Sequence, residues 1–167
     1  MAYPVVRLDN MSGTHDVSKL RSVIYSTKSG ETYTPAGVNN GCVVAIDALT
    51  ADREVFYAVA PTAKTPRTQV ALVATPELLY DERLKNLDDF TNEAGSVARA
   101  YLFETGNVFS ITTDGVSGTP AVGNIVELAD GNKLKVVATA TSGSTAIGHV
   151  IALDQVGTKT YVVIVVD

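Results

Sequence analysis

The sequence predicts a mainly β protein, a small β-barrel or β-sandwich with one short helix and an extended N-terminal arm. Three observations lead to this fold class. Runs rich in valine, isoleucine, threonine and tyrosine recur along the chain, and such residues suit a pleated, half-buried surface. Turns containing glycine separate many of these runs, about every ten residues in the last third, which is typical of sandwiches and barrels. A loose apolar stripe at helical spacing occurs only around residues 78–87.

The domain organisation follows from changes in composition. Residues 1–37 are polar and rich in serine, threonine and glycine, and we interpret them as an extended arm. Residues 38–167 are interpreted as one β-rich domain, or as two small β modules, 38–75 and 97–167, joined by the helical segment. A weak internal repeat supports the second interpretation, because residues 40–47 resemble residues 123–130.

The individual elements are predicted in chain order. Within the arm, residues 3–8 and 21–25 have strand-like composition. Strands are predicted over residues 41–46, 54–60, 68–74, 97–103, 108–112, 124–128, 133–140, 147–153 and 159–166. Thr75 is a typical N-cap and Pro76 a typical first helical residue, so a helix is expected over about 78–87. Residues 161–166 are apolar on both faces, which predicts a central strand or an edge that a partner covers.

Charge and cysteine content limit the classes of function. The net charge is −5, from 18 acidic and 13 basic residues, so we expect no nucleic-acid partner, which would require a basic surface. No apolar run approaches the roughly 20 residues of a membrane span, and no signal peptide is recognisable. We therefore expect a soluble product made in the cytoplasm and no membrane partner. Cys42 is the only cysteine, so an intrachain disulfide is impossible, and we interpret it as a core residue.

The best candidate for a carboxylate site is an acidic cluster in and after the predicted helix. Its members are Asp81, Glu82, Asp88, Asp89 and Glu93. Arg83 and Lys85 are interspersed with these acids, and the acids lack the spacing that would place them above one another on a helix. We therefore interpret the cluster as a solvated face.

The two histidines are far apart in the sequence. His15 lies in a polar loop, and His149 is expected to share a strand face with Ile147 and Ile151. A zinc site needs more ligands than these histidines and Cys42 provide. The seven tyrosines are scattered, which favours packing roles. The sequence thus predicts no catalytic residue, no metal ligand and no cofactor.

Three stretches of the chain carry a resemblance to a known group of proteins. They are residues 40–44 (Asn-Gly-Cys-Val-Val) with 53–56, residues 75–83 (Thr-Pro-Glu-Leu-Leu-Tyr-Asp-Glu-Arg), and residues 92–102 with 106–112. Their order resembles that of small virion proteins of tailed bacteriophages. The pattern Ala121-Val122-Gly123, followed by Ile147-Gly148 and Val150, resembles the β-rich head decoration proteins of such phages.

This resemblance implies a bacteriophage capsid decoration protein. Such a protein binds the outside of the shell formed by the major capsid protein, stabilises it and becomes part of the virion. Self-association is implied as well: decoration proteins often sit as trimers at the three-fold positions of the shell, but monomers and dimers also occur. The family has no catalytic residues to carry over. The strand-like part of the arm is expected to contact the capsid by adding an edge strand to a capsid subunit. The expected contact residues are Tyr3, Pro4, Val5, Val6, Arg7 and Leu8.

Three alternatives remain open at this point. The first is another virion part that is also rich in β structure, such as a tail tube, a head–tail connector or a fibre base. The second is a carbohydrate-binding module on a surface fibre. The third is an enzyme, for example a β-rich trimeric nucleotide hydrolase that uses the acidic cluster, although we do not expect an enzyme.

Overall fold

The computed structural model describes residues 3–8, 11, 19–78 and 89–167, and it confirms the predicted fold class. The chain is mainly β, with six strands in each of two sheets. The first sheet contains β1 (Leu20–Ser29), β2 (Thr32–Pro35), β3 (Val43–Leu49), β4 (Phe56–Val59), β5 (Val70–Val73) and β6 (Ala98–Leu102). The second contains β7 (Val108–Thr112), β8 (Val116–Ser117), β9 (Ile125–Glu127), β10 (Leu134–Val137), β11 (Ala146–Val156) and β12 (Lys159–Val166). Two 3-10 turns, Arg67–Gln69 and Thr113–Gly115, precede β5 and β8.

The first sheet closes into a five-stranded barrel. Its strands follow the order β1-β4-β3-β5-β6, and β6 pairs back onto β1, while β2 extends β1 as a hairpin outside the ring. β1 and β4 are parallel, and the other neighbours are antiparallel. A barrel of so few strands has a narrow interior. Small side chains fill it, with Ala58, Ala71, Ala98 and Ala100 among its fully buried residues.

The second sheet has the order β7-β12-β11-β9-β10-β8 and packs against the outside of the barrel. β5 contributes to both hydrophobic cores. Val70 and Leu72 belong to the core shared with the second sheet, whereas Ala71 and Val73 face the barrel interior. All four residues of this strand are buried. Side chains alternate between the faces of a strand, so a strand covered on both faces is apolar throughout.

β12 lies between β7 and β11, which confirms that the apolar run 161–166 is a central strand. Val162, Ile164 and Val166 belong to the core that the second sheet shares with the barrel. The most apolar segment of the chain is therefore not an open edge.

Several boundaries differ from the sequence interpretation. β1 and β2 lie inside the segment 1–37 that was assigned to an arm, and they are instead paired strands of the first sheet. β6 was placed with the second module, and it instead closes the barrel by pairing with both β5 and β1. These pairings join segments that are distant in the sequence, and composition alone does not specify them.

The predicted helix over 78–87 lies outside the described residues, except for Leu78, which is exposed and outside any regular element. Within the described ranges, no helix has the length and hydropathy needed to cross a membrane.

Candidate functional site

Part of the segment expected to contact a capsid, residues 5–7, lies along β7 at the edge of the second sheet of this chain. The backbone N–H of Arg7 donates to the carbonyl of Ser110 at 3.0 Å. Val5 accepts from the backbone N–H of Thr112 at 3.0 Å and donates its own N–H to the Thr112 hydroxyl at 3.1 Å. Val6 is paired with Ile111 in an antiparallel bridge. Residues 5–7 therefore cover part of the outer edge of β7.

Packing also holds this segment against the chain. Val5 and Val6 are each only 5% exposed. Pro4 is also buried, and it lies against two glycines: a Cβ atom on either Gly41 or Gly115 would approach the Pro4 Cβ to 3.2 Å. The absence of a side chain at both positions therefore makes room for the proline ring.

The other three predicted contact residues, Tyr3, Arg7 and Leu8, are partly exposed. The Arg7 guanidinium lies 5.8 Å from the centre of the Tyr161 ring, within the range of a cation–π contact. In this arrangement, a partner can reach the segment through these partly exposed side chains, while its buried residues hold it to the second sheet. The capsid-contact role of all six residues stays a prediction.

A polar network closes one end of the barrel. The side-chain oxygen of Asn40 accepts a hydrogen bond from the backbone N–H of Thr75 at 3.0 Å, and its side-chain nitrogen donates to the Thr75 carbonyl at 2.8 Å. The Asn92 side-chain amide donates to the Asn40 side chain at 3.2 Å and to the carbonyl of Val38 at 3.0 Å. Asn40 and Asn92 are almost fully buried. Burying an amide is costly unless it is hydrogen-bonded, and here the bonds tie three separate loops together.

Asn132 joins the barrel to the second sheet. Its side-chain oxygen accepts from the Tyr25 hydroxyl at 2.9 Å, and its side-chain nitrogen donates to the carbonyl of Val43 at 3.0 Å. Its backbone carbonyl accepts from the N–H of Val43 at 2.7 Å. Burial raises the pKa of Tyr25, so its hydroxyl is a stable donor at neutral pH. Sequence reasoning missed Asn132, because an asparagine after a glycine normally indicates only a turn.

A buried carboxylate anchors the loop that follows β10. Glu127 is 1% exposed, and its two oxygens accept from Lys135 Nζ at 3.1 Å and from the backbone N–H of Thr141 at 2.8 Å. Burial alone would raise the pKa of this carboxyl, but the hydrogen bonds from Thr141 and Lys135 outweigh burial and lower it. Glu127 is therefore ionised at neutral pH and holds the loop against the sheet.

The acidic cluster considered from the sequence is described only in part. Asp81, Glu82 and Asp88 lie outside the described residues, as does His15. Asp89 and Glu93 are exposed. Among the residues that the structure describes, no three His, Cys, Asp or Glu side chains are grouped so that they could hold a metal ion.

His149 lies beside Asp167. The Nδ1 of His149 lies 2.7 Å from a carboxylate oxygen of Asp167, and both side chains are substantially exposed. His149 does not share the burial of Ile147, because β11 changes register around Gly148.

Cys42 is buried, and burial raises the pKa of its thiol. The Cys42 thiol is therefore protonated at neutral pH, as expected for a core residue.

Two tyrosines that are distant in the sequence meet on the barrel surface. Tyr33 and Tyr57 stack with ring centres 4.2 Å apart and an interplanar angle of 4°. Lys28 Nζ lies 5.1 Å from the Tyr33 ring centre and forms a 2.8 Å ion pair with Asp47. The two rings therefore stack on each other, and Lys28 makes a cation–π contact with Tyr33. These local contacts account for the positions of the rings.

Comparisons with protein-family models, with curated proteins and with solved structures found no match to this chain.

Proposed function

We propose that this chain is a capsid decoration protein of a tailed bacteriophage, which binds the outside of the major capsid protein shell and stabilises it. One observation carries the proposal. The three stretches that resemble phage virion proteins are distant in the sequence, yet each contributes to the network that closes the barrel. Asn40 comes from the first stretch, Thr75 from the second and Asn92 from the third. The resemblance thus involves residues that act together in one folded unit.

The use of buried polar groups also supports a structural role. Asn40, Asn92 and Glu127 are buried and bind backbone groups of separate loops. A protein that stabilises a shell benefits from loops held in fixed positions, because a preordered surface loses less entropy on binding. The acidic net charge of −5 suits the outside of a shell, away from packaged nucleic acid.

The direct test is co-sedimentation of the purified chain with expanded, undecorated capsids of the phage that encodes it. We expect the protein to saturate the capsid at a fixed ratio to the major capsid protein and to raise the temperature at which the shell breaks. Capsids that remain bare at saturating protein would exclude the proposal. Gold labelling of intact virions then separates a head protein from a tail tube, connector or fibre-base protein.

The role of the N-terminal segment needs a variant that leaves the core intact. Deleting residues 1–8 removes the buried Val5 and Val6, so a loss of capsid binding after deletion would mix two effects. Arg7→Ser removes one partly exposed positive charge from the segment, and Lys64→Ser removes one from an exposed position elsewhere on the chain. If the segment contacts the capsid, Arg7→Ser weakens co-sedimentation and Lys64→Ser does not. Equal binding by both variants would remove Arg7 from the interface.

A further inference from the structure

Asn40 and Gly41, which directly precede β3, form a chemically reactive pair. The backbone nitrogen of the residue after an asparagine can attack the carbonyl carbon of the asparagine side chain. Glycine obstructs this attack least, because it has no side chain and adopts backbone angles that other residues avoid. No other asparagine in the sequence is followed by glycine. Asn40 is therefore the asparagine of this chain with the highest intrinsic tendency to lose its amide.

The reaction replaces the side-chain amide by a carboxylate and needs only water and hydroxide. Hydroxide removes the proton of the Gly41 N–H, and the Gly41 nitrogen forms a bond to Cγ of Asn40. The bond from Cγ to Nδ2 breaks, and Nδ2 takes a proton from water and leaves as ammonia. Water then opens the cyclic imide. Cleavage at Cγ gives aspartate at position 40, and cleavage at the backbone carbonyl carbon gives isoaspartate, in which the main chain runs through the side chain.

The fold requires both members of the pair. Gly41 has a φ of +78°, and a Cβ atom there would approach the Pro4 Cβ to 3.2 Å. The Asn40 side chain is both donor and acceptor for the backbone of Thr75, and only an amide side chain combines the two functions in this way. The reactive pair can therefore not be avoided at this position, and the native structure has to keep it from reacting.

The attacking nitrogen is held in a strand ladder. The Gly41 N–H donates to the carbonyl of Val73 at 2.8 Å, which continues the pairing of β3 with β5. A backbone N–H that is bonded in this way loses its proton to the solvent only when the local structure opens. The opening that permits hydrogen exchange at Gly41 is therefore also the opening that permits the attack.

The side-chain amide of Asn40 is held as well. Its Nδ2 donates to the Thr75 carbonyl at 2.8 Å and to a carboxylate oxygen of Glu77 at 3.4 Å, and both bonds are lost when Nδ2 leaves as ammonia. Its Oδ1 accepts from the backbone N–H of Thr75 and from the Asn92 side chain. Asn40 is 1% exposed, so hydroxide and water have almost no access to it.

We propose that Asn40 is a latent deamidation site, which the network that closes the barrel keeps unreactive, and whose conversion after opening prevents the chain from refolding. The carboxylate that forms has no N–H to donate and places an acceptor against the Thr75 carbonyl. It also lies beside Glu77, whose pKa is already raised by burial, and a second carboxylate close to it is unfavourable. The proposal is independent of capsid binding.

Peptide mapping by mass spectrometry tests the protection of Asn40. The full chain is incubated in a mildly alkaline buffer, natively with sodium chloride or unfolded in guanidinium chloride, and is then digested with pepsin in acid. Asn40 should lose its amide at least about tenfold more slowly in the native chain. Asn39, which is followed by Asn40 and not by glycine, is the internal reference and should react more slowly than Asn40 in the unfolded chain. Equal rates for Asn40 in both states, or a faster loss at Asn39 in the unfolded chain, would overturn the proposal.

Two variants separate the network from stability in general. Asn92→Ala removes a hydrogen bond to Asn40, whereas Glu127→Gln disturbs a buried polar group in the second sheet. The unfolded fraction of each variant, measured by denaturant unfolding, gives the rate expected from global opening alone. Asn92→Ala should exceed that rate at Asn40 at least about threefold, because local opening becomes easier, and Glu127→Gln should match it. An equal excess in both variants, or none in Asn92→Ala, would overturn the role of the network.

The effect of the product is tested by placing it directly. Asn40→Asp should raise the equilibrium constant for unfolding at least about tenfold. Asn39→Asp makes the same change of charge at a neighbouring, partly exposed position and should leave that constant nearly unchanged. After timed incubation in denaturant and refolding of the wild type, the folded monomer isolated by size exclusion should be depleted in chains modified at Asn40. Equal stability of the two variants, or equal modification of folded and unfolded fractions, would overturn the block to refolding.

Discussion

The Glu127→Gln substitution should destabilise the protein although it preserves the size of the side chain. Glu127 uses both carboxylate oxygens as acceptors, one for Lys135 Nζ and one for the backbone N–H of Thr141. Lys135 Nζ also donates to the Thr141 hydroxyl at 3.2 Å, so the three residues form a closed group. Glutamine offers one oxygen and one NH₂ group. One of the two donors therefore faces another donor in the variant.

The loss of stability in Glu127→Gln depends on the lost hydrogen bond and on the exposure of Lys135 to water. A hydrogen bond to a charged group contributes about 1.5–3 kcal/mol, and an unsatisfied buried donor adds a further penalty. Lys135 is 39% exposed, so water can solvate its ammonium group and recover part of the loss. We expect the free energy of unfolding at pH 7 to fall by about 2–3 kcal/mol. For a domain of this size, this corresponds to a decrease in Tm of about 4–12 °C.

The effect should depend on pH in a defined direction. The pKa of Glu127 is lower in the folded protein than its ordinary value of 4.5. A lowered folded pKa stabilises the native state above the unfolded pKa, and this contribution is lost as the pH falls through the folded pKa. The difference in stability between wild type and Glu127→Gln should therefore be constant near neutral pH and shrink as the pH falls below about 4.5.

Denaturant unfolding at a series of pH values measures both quantities. Asp47→Asn is the control, because Asp47 forms an exposed ion pair with Lys28. Such pairs contribute about 0–1 kcal/mol, so this variant should unfold nearly like the wild type. If Glu127→Gln lost less than about 1 kcal/mol at pH 7, or if its deficit did not change on acidification, the assigned role of the buried carboxylate would be refuted.

Three further substitutions probe the packing of the two sheets. Asn132→Ala removes the bonds to the Tyr25 hydroxyl and to β3 and should reduce stability by about 1–3 kcal/mol in urea unfolding; an unchanged midpoint would contradict the joining role. Gly148→Ala places a Cβ 1.8 Å from a carbonyl oxygen of β12 and should abolish soluble expression, whereas Gly143→Ala meets no atom within 4 Å and should cost only about 1–2 kcal/mol for its positive φ. Leu72→Ala opens a cavity between barrel and sheet and should cost about 2–5 kcal/mol in calorimetry, so a smaller loss would mean that the site collapses to fill the space.

Local features of the sequence were sufficient to predict the class of fold. Valine and isoleucine runs separated by glycine turns specify strands wherever they fold, since β-branched side chains suit a pleated surface. The run 161–166 is apolar at every position, which requires cover on both faces. The sequence therefore predicted a central strand or an edge covered by a partner, and the structure places the run between β7 and β11 in the second sheet.

The candidate site was less predictable, because burial depends on partners distant in the sequence. Residues 3–8 were interpreted as strand-like, and the structure pairs one of them, Val6, with Ile111 in an isolated antiparallel bridge. The segment lies along β7 of the same chain because β7 is an edge strand of the second sheet and because Gly41 and Gly115 leave space for Pro4. None of these features is adjacent to the segment in the sequence.

The sequence by itself determined that this chain is a β protein with an apolar core and an acidic surface. Those properties depend on composition and on the alternation of apolar and polar residues over a few positions, and both are present in the local sequence of each segment. Only the tertiary structure decided that β6 closes a barrel with β1 and that Asn132 joins the two sheets. These are choices of pairing between remote segments, and many pairings satisfy the same local pattern. The packing of the whole chain selects one of them.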